Sequence, residues 1–210
     1  MTTILTTTIK ARYILNTTKE MTNIAIFVSG SGTNCENIIR YFQGSATVAT
    51  PLVVSNRADA GALERARRLN VPATVITKKQ FADEQHVLSV LKEYDIDVIV
   101  LAGFLLMAPD YLIEAYKGRI INLHPALLPK FGGRGMYGHH VHEAVKAAGE
   151  TETGMTVHHV TNVCDGGEII AQFKCPVSPD DTPDDIADKE HVLEMQHFPQ
   201  VIEQFVNSLK

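Results

Sequence analysis

An asparagine and a histidine stand two positions apart at the end of an apolar run, I-N-L-H-P-A-L-L-P at 121–129. Side chains two apart on an extended chain point the same way, so Asn122 and His124 should face one crevice. Pro125 restricts His124 to extended conformations. An amide and an imidazole can donate hydrogen bonds to a developing oxyanion, and an imidazole also moves protons near neutral pH. Because a strand-end histidine is often purely structural, the pair alone does not establish catalysis.

A carboxylate beside His124 would favour its charged form and fix its orientation. Asp165, in C-D-G-G at 164–167, is a candidate, since paired glycines allow positive φ and leave room for a ligand. The same residues are also typical of a plain Asp-Gly hairpin turn, so a catalytic and a purely structural Asp165 both remain open at this point. The histidine clusters at 138–142 and 158–159 have no carboxylate or cysteine at zinc spacing, so we predict no metal site.

A glycine-rich stretch, S-G-S-G-T-N at 29–34, separates the first apolar run from a helical pattern. Glycines permit a sharp turn, and a helix N-terminus adds unpaired N–H groups and partial positive charge, which suits an anion. The stretch lacks the Gly-Lys-Ser/Thr of a triphosphate loop, and Cys35 replaces the third glycine of a dinucleotide loop. We therefore predict that Gly32, Thr33 and Asn34 hold a phosphate monoester; an ordinary tight turn is the alternative.

The elements that position these groups follow from hydrophobic periodicity. Strands are predicted at 23–28, 48–54, 73–76, 97–101 and 119–123, and helices at 34–42, 58–69, 81–94 and 139–148. This alternation predicts an α/β, Rossmann-like fold with an open, mostly parallel twisted sheet and helices on both faces. Strands at 153–161 and 168–177 predict a C-terminal antiparallel hairpin. A helix of about 25 residues should follow from Pro183, with a break expected near Pro199.

Composition sets the outer limits on function. With 210 residues, 45% of them hydrophobic, the chain predicts one globular domain over 23–210, preceded by a disordered or partly ordered N-terminal extension at 1–22. A net charge of −5 without a basic stripe argues against nucleic acid. No apolar run reaches the roughly 18 residues of a membrane helix. Three cysteines without a C-x-x-C motif indicate reduced thiols and a cytoplasmic location.

Four motifs occur in a fixed order along the chain and together resemble a known family. They are G-S-G-T-N, V-L-A-G-F at 100–104, I-N-L-H-P-A-L-L-P and D-G-G at 165–167. With them the chain resembles the phosphoribosylglycinamide formyltransferases, the folate-dependent glycinamide ribonucleotide transformylases of purine synthesis. The resemblance implies formyl transfer from 10-formyltetrahydrofolate, a co-substrate, to the amine of glycinamide ribonucleotide. It implies a phosphate-binding N-terminal half and a folate-binding C-terminal half. It also implies a cytoplasmic monomer or homodimer that needs no metal, nucleic acid or membrane.

The resemblance also assigns roles by position. It matches Asn122, His124 and Asp165 to the catalytic trio, with Asp165 sustaining positive charge on His124. Phosphate and ribonucleotide binding is assigned to Gly32, Thr33, Asn34, His191 and Glu194. Folate binding is assigned to Lys78, Leu105, Leu106, Met107, Ala108, Asn122, Thr161, Asn162, Val163, Cys164 and Asp165.

Two departures and several alternatives accompany the resemblance. Leu106 stands where relatives carry Arg, so the glutamate tail of the folate should be held differently, and the loop at 131–138 is longer than in the shortest members. A formyltetrahydrofolate hydrolase usually adds an N-terminal regulatory domain, and a methionyl-tRNA formyltransferase adds a basic C-terminal one. A catalytically inactive sugar-phosphate-binding module would keep G-S-G-T-N without needing Asn122, His124 or Asp165.

Overall fold

The computed structural model describes residues 21–210. The extension predicted for 1–22 lies outside the described residues except for its last two, and Thr22 already belongs to the first strand. The strands are β1 Thr22–Val28, β2 Val48–Ser55, β3 Ala73–Val75, β4 Val98–Leu101, β5 Ile120–His124, β6 Glu152–His159 and β7 Ile169–Pro176. The helices are α1 Thr33–Phe42, α2 Gly61–Arg68, α3 Glu84–Glu93, α4 Asp110–Ala115, α5 His139–Ala147 and α6 Pro183–Ser208, with a 3₁₀ turn at Gln80–Ala82.

Within the described residues, the strands form one sheet in the order β3-β2-β1-β4-β5-β6-β7. Strands β1 to β5 pair in parallel, whereas β6 runs antiparallel to β5 and β7 antiparallel to β6. The predicted mostly parallel sheet with a C-terminal antiparallel hairpin is confirmed. No helix within residues 21–210 is long and apolar enough to cross a bilayer.

Strand β1 is apolar at nearly every position because helices cover both faces of the sheet there. Ile24, Ile26 and Val28 pack on one side of the sheet with apolar residues of α1 and α6. Ala25 and Phe27 point to the other side and pack with α3 and α4. Because side chains alternate along a strand and helices cover both faces, every position from 24 to 28 is buried.

The chain order reverses between β1 and β4, and this is where open parallel sheets bind ligands. Ser29, which directly follows β1 and is 2% exposed, holds the loops here together. Its hydroxyl donates to Asn56 Oδ1 over 2.6 Å and accepts the N–H of Leu105 over 2.8 Å. One buried serine therefore fixes the loops after β1, β2 and β4 relative to one another.

The break expected near Pro199 is wrong, because α6 continues through this residue to Ser208. A proline in a helix leaves the carbonyl four residues earlier without its N–H donor. That carbonyl belongs to Met195, and it accepts a hydrogen bond of 2.8 Å from Asn37 Nδ2 of α1. The neighbouring helix thus supplies the missing donor, which the local pattern of α6 could not reveal.

Candidate active site

A cavity of about 680 Å³ opens where β1, β4 and β5 end. It is closed on one side by the first turn of α1 and by α6, and on the other by the loop after β5 and the loop between β6 and β7. The strands bring their terminal side chains to the same edge of the sheet, which is why residues far apart in sequence share this cavity.

The glycine-rich loop forms one wall of the cavity. Gly32 has a φ of 79° and begins α1 without a side-chain cap. A Cβ on Gly32 would lie 2.4 Å from Cβ of Ala62, so the loop packs against α2 too closely for any other residue. Arg65 of α2 donates to the Ser31 carbonyl over 2.8 Å and holds the turn from outside. The first turn of α1 consequently lines the cavity, and because unpaired helix N-terminal amides suit an anion, we refer to Gly32–Asn34 as the predicted anion-binding turn.

Next to this turn, two helices contribute a polar cluster. Asn34 Nδ2 donates to Glu194 Oε2 over 2.7 Å, and His191 Nδ1 donates to the same oxygen over 2.9 Å. The hydrogen bond to Glu194 raises the pKa of His191, although burial opposes it. Together α1 and α6 therefore hold one carboxylate in a fixed orientation beside the anion-binding turn.

The predicted catalytic trio meets at the opposite wall. His124 is 3% exposed, and its Nδ1 lies 3.6 Å from Oδ2 of Asp165. Its other ring nitrogen, Nε2, donates to the Phe131 carbonyl over 2.8 Å. Asp165 Oδ2 accepts the backbone N–H of Gly133 over 2.8 Å. The loop after β5 thus orients both His124 and Asp165, and leaves Nδ1 as the ring atom that faces the carboxylate.

The resemblance led us to expect that Asp165 sustains a positive charge on His124. In the ligand-free protein the charges of these two side chains are different. Burial lowers the pKa of His124, and the opposing effects of Asp165 and the Phe131 carbonyl do not overcome it. Burial acts to raise the pKa of Asp165, but nearby His158 and the Gly133 N–H outweigh burial and lower it. At neutral pH the resting pair is therefore a neutral imidazole facing a carboxylate.

His158 is a site residue that the sequence reasoning missed. It lies opposite Asn122 in the antiparallel β5–β6 register. Its Nδ1 donates to the His159 carbonyl over 2.8 Å, so its Nε2 accepts from Asn122 Nδ2 over 3.0 Å. Nε2 also lies 3.6 Å from Asp165 Oδ1. In the sequence, His158 belongs to a histidine cluster that we weighed only as a metal site and predicted not to be one, and the register that pairs His158 with Asn122 is not visible there.

Most of the predicted site residues line this one cavity: Gly32, Thr33, Asn34, Leu105, Leu106, Met107, Ala108, Asn122, His124, Thr161, Val163, Cys164, Asp165, His191 and Glu194. Two predicted folate contacts, Lys78 and Asn162, do not line it. Lys78 follows β3, which is the edge strand and is separated from β1 by β2. Asn162 is exposed beside Thr161, which does line the cavity.

Two further residues of the cavity wall were not predicted. His142 of α5 is 6% exposed and Glu190 of α6 is 3% exposed. Each has a buried side-chain atom without a hydrogen-bond partner among the described residues, Nδ1 in His142 and Oε1 in Glu190. Burial lowers the pKa of His142 and raises that of Glu190. No group of three or more His, Cys, Asp or Glu side chains within residues 21–210 is arranged to hold a metal ion.

Sequence comparison shows which known proteins this chain is similar to. A family model described as formyl transferase matches residues 22–202. The phosphoribosylglycinamide formyltransferase of Bacillus subtilis is 35% identical over 191 residues, which cover 89% of this chain and 95% of that protein. The Haemophilus influenzae protein of the same name is 34% identical over 190 residues, covering 88% and 87%. A chloroplastic relative from Arabidopsis thaliana is 39% identical over 180 residues, but the chain spans only 61% of its length.

Solved structures show the same architecture. Glycinamide ribonucleotide transformylase 1 from Symbiobacterium toebii superposes with a TM-score of 0.83 at 32% identity, covering 90% of each chain. Phosphoribosylglycinamide formyltransferase from Coxiella burnetii gives a TM-score of 0.81 at 37% identity, covering 90% of this chain and 89% of that one.

Proposed function

The chain belongs to the formyl transferase family, and from this premise we propose that it transfers the formyl group of 10-formyltetrahydrofolate to the amine of glycinamide ribonucleotide in purine biosynthesis. The observation that carries the proposal is the distance of 3.6 Å between His124 and Asp165 in a cavity that also contains the anion-binding turn. A formyl acceptor with a phosphate monoester needs both features in one place.

The two substrates fit different parts of the cavity. The turn at Gly32–Asn34 suits the phosphate of the ribonucleotide, because helix N-terminal amides bind anions. Around the rest of the opening, apolar side chains are exposed, with Leu105 at 52%, Met107 at 48% and Val163 at 62%. Flat apolar ligands favour such surfaces, since their burial removes apolar area from water. We therefore assign this side to the reduced folate.

In the proposed reaction, the neutral amine attacks the formyl carbon and a tetrahedral oxyanion forms. His124 is neutral at rest because burial lowers its pKa, so its Nδ1 can accept the proton that the amine loses. The resulting imidazolium faces Asp165 at 3.6 Å, which stabilises the charge. Return of the proton to N10 of the folate then expels the tetrahydrofolate and leaves the formylated amine.

Asn122 stabilises the oxyanion. One N–H of its amide is donated to His158 Nε2 over 3.0 Å, which fixes the plane of the amide. The second N–H of the same group is the donor that we assign to the developing negative charge. Bringing two substrates together in one orientation contributes further, by about 7–11 kcal/mol in favourable cases.

Arg134 is our candidate for the acidic tail of the folate. Leu106 carries no charge, and Arg134 is the only Lys or Arg among the described residues that line the cavity. A guanidinium pairs well with carboxylates. We expect Arg134→Gln to raise KM for 10-formyltetrahydrofolate but not for an analogue that lacks the glutamate. Lys130→Gln in the same loop is the matched control, because Lys130 bonds Glu150 and does not line the cavity.

All the residues that we assign to the site come from one chain, so we propose a monomer or a homodimer with independent sites. The cytoplasmic location that we propose rests on three cysteines, Cys35, Cys164 and Cys175, all of them free. Microscopy of a tagged full-length chain would test the location, and accumulation in an organelle would contradict it.

One assay separates the proposed function from its alternatives. Tetrahydrofolate is followed after mixing the protein with 10-formyltetrahydrofolate, with and without glycinamide ribonucleotide. Product that depends on the ribonucleotide supports the transferase, and product formed equally without it supports a formyltetrahydrofolate hydrolase. Absence of product in both reactions, together with retained binding of the ribonucleotide, supports an inactive sugar-phosphate-binding module.

A further inference from the structure

Glu190 is a buried carboxyl group that the proposed reaction does not use. Its side chain lies in the wall of the cavity on α6 and is 3% exposed. Glutamate is almost never buried unless it is paired, since transfer of a charge out of water is costly. Oε1 of Glu190 has no hydrogen-bond partner among the described residues. The environment of Glu190 therefore favours a carboxyl group that carries a proton.

The groups that face Glu190 come from three elements. On α6 itself, Glu194 lies four residues later and hence on the same face of the helix. Cys175 of β7 lies close enough that Glu190 adds to the effect of burial in raising its pKa. His142 of α5 lines the same cavity, and burial keeps it neutral by lowering its pKa. The nearest cation on α6, Lys189, is bonded to Asp181, so it does not neutralise Glu190.

Two carboxyl groups in contact within a poorly solvated site cannot both ionise easily, and one of them retains a proton. Glu194 is the better anion, because its Oε2 accepts hydrogen bonds from Asn34 and His191. Glu190 has no comparable donor. Burial, the charge of Glu194 and a hydrogen bond to Glu194 all raise the pKa of Glu190 well above its usual value.

We propose that Glu190 is a protonated carboxylic acid that donates its hydrogen bond to Glu194 and so positions Glu194 to accept a ribose hydroxyl group of the ribonucleotide. The inference rests on the proposed function and assigns a new positioning residue within it. Asn34 and His191 both donate to Oε2 of Glu194, and the proton of Glu190 is a third donor, so one of the roughly four lone pairs of the carboxylate stays free. A ribose hydroxyl then meets an acceptor whose orientation is fixed before the ribonucleotide binds.

Two substitutions test the proposal. Glu190→Gln keeps the shape and a donor while removing the titration, so KM for glycinamide ribonucleotide at neutral pH should stay within about threefold of the parent. Glu190→Leu removes the donor, and KM should rise roughly tenfold or more with little change in kcat. If Gln raises KM as much as Leu does, Glu190 acts as an anion and the proposal is wrong.

Infrared difference spectroscopy detects the proton on Glu190 directly, so it distinguishes the proposed role from a purely structural one. The ligand-free protein at neutral pH should show the C=O stretch of a protonated carboxyl group, and Glu190→Gln should abolish it. Glu203→Gln on the same helix is the matched control and should leave the band unchanged, since Glu203 bonds Tyr41 at the surface. A missing band in the parent protein would overturn the inference.

Stability should also depend on pH with a defined sign. A carboxyl whose pKa is raised by folding stabilises the native state fully below its unfolded pKa of about 4.5, and this stabilisation is lost as pH rises. The advantage of Glu190→Gln over the parent in urea unfolding should therefore grow from about pH 4.5 upward.

The spectrum and the unfolding data need no substrate. If formyl transfer is absent but the band is present, only the proposed function fails; transfer without the band refutes only this inference.

Discussion

The two ends of the cavity differ in how their polar atoms are partnered. At the ribonucleotide end, built by α1, α5 and α6, buried atoms of Asn34, His142 and Glu190 have no hydrogen-bond partner among the described residues. At the transfer end, built by β5, β6 and the loops that follow them, the side chains of Asn122 and His124 are already bonded within the chain. The proposed ribonucleotide end thus keeps unpartnered atoms beside its fixed Glu194 carboxylate, whereas the proposed transfer end has its Asn122 and His124 side chains oriented in advance by the protein.

We therefore expect the ribonucleotide end to determine how tightly the substrate binds and the transfer end to determine the rate of the reaction. Unpartnered atoms on helices that pack into the core gain hydrogen bonds only when a ligand arrives, so changes there should affect binding. Side chains held by His158, Phe131 and Gly133 keep the geometry that charge development requires, so changes there should affect turnover.

Replacing Asn122 should produce the largest loss of turnover. Asn122→Ala removes an oxyanion donor, which costs roughly 10²–10³ in kcat at comparable sites. KM for the ribonucleotide should change little, because Asn122 belongs to the transfer end. Steady-state kinetics check both values. His158→Gln is the control, since it keeps an acceptor for the amide and should lose less activity; a large rise in KM with normal kcat would refute this division of roles between the two ends.

Replacing Gly32 should damage the ribonucleotide end. In Gly32→Ala, Cβ would lie 2.4 Å from that of Ala62 at a φ of 79°, so the turn must shift. Backbone strain of this kind costs about 1–3 kcal/mol, and KM for the ribonucleotide should rise while kcat changes less. Urea unfolding and kinetics provide the measurements. Gly30→Ala is the stability control, because its Cβ meets nothing within 4 Å.

The acidic limb of the pH profile should report His124. Since burial lowers its pKa, kcat/KM should stay level as pH falls through 6.5 and decline only at lower pH. Asp165 acts to raise that pKa, so Asp165→Asn should move the limb to still lower pH, besides reducing turnover. A profile measured between about pH 5 and 8 tests the sign. A shift toward higher pH in this variant would contradict the assignment.

We expect the smallest effect, on stability, at the contact between α1 and α6, the two helices that support the proposed ribonucleotide end. Asn37→Ala removes the donor to the Met195 carbonyl and should lower the free energy of unfolding by about 1 kcal/mol. Pro199→Ala restores a backbone N–H that can bond the same carbonyl. Asn37→Ala should therefore cost less in the Pro199→Ala background, as a double-mutant cycle in urea would measure. Equal costs in both backgrounds would show that Asn37 does not compensate for the proline.

Local patterns predicted a large part of the molecule. The parallel strands, the hairpin and the C-terminal helix follow from periodicity, and the Gly32–Asn34 turn follows from residue type. The break at Pro199 was wrong because the donor from Asn37 lies 158 positions away in the chain. Lys78 was assigned to the folate by resemblance, yet the strand order puts it at the far edge of the sheet. The continuation of α6 and the position of Lys78 both depend on contacts and strand order that no short stretch of the sequence contains.

The order of amino acids alone tells which side chains can share a face, because a strand repeats every two residues and a helix every 3.6. It therefore fixed Asn122 beside His124, and the glycine turn ahead of α1. The packed structure was needed to see that Asp165 and His158 meet this pair, and that burial lowers the pKa of His124 and raises that of Glu190. Register, burial and charge proximity arise from long-range packing, and they set the protonation states on which the chemistry depends.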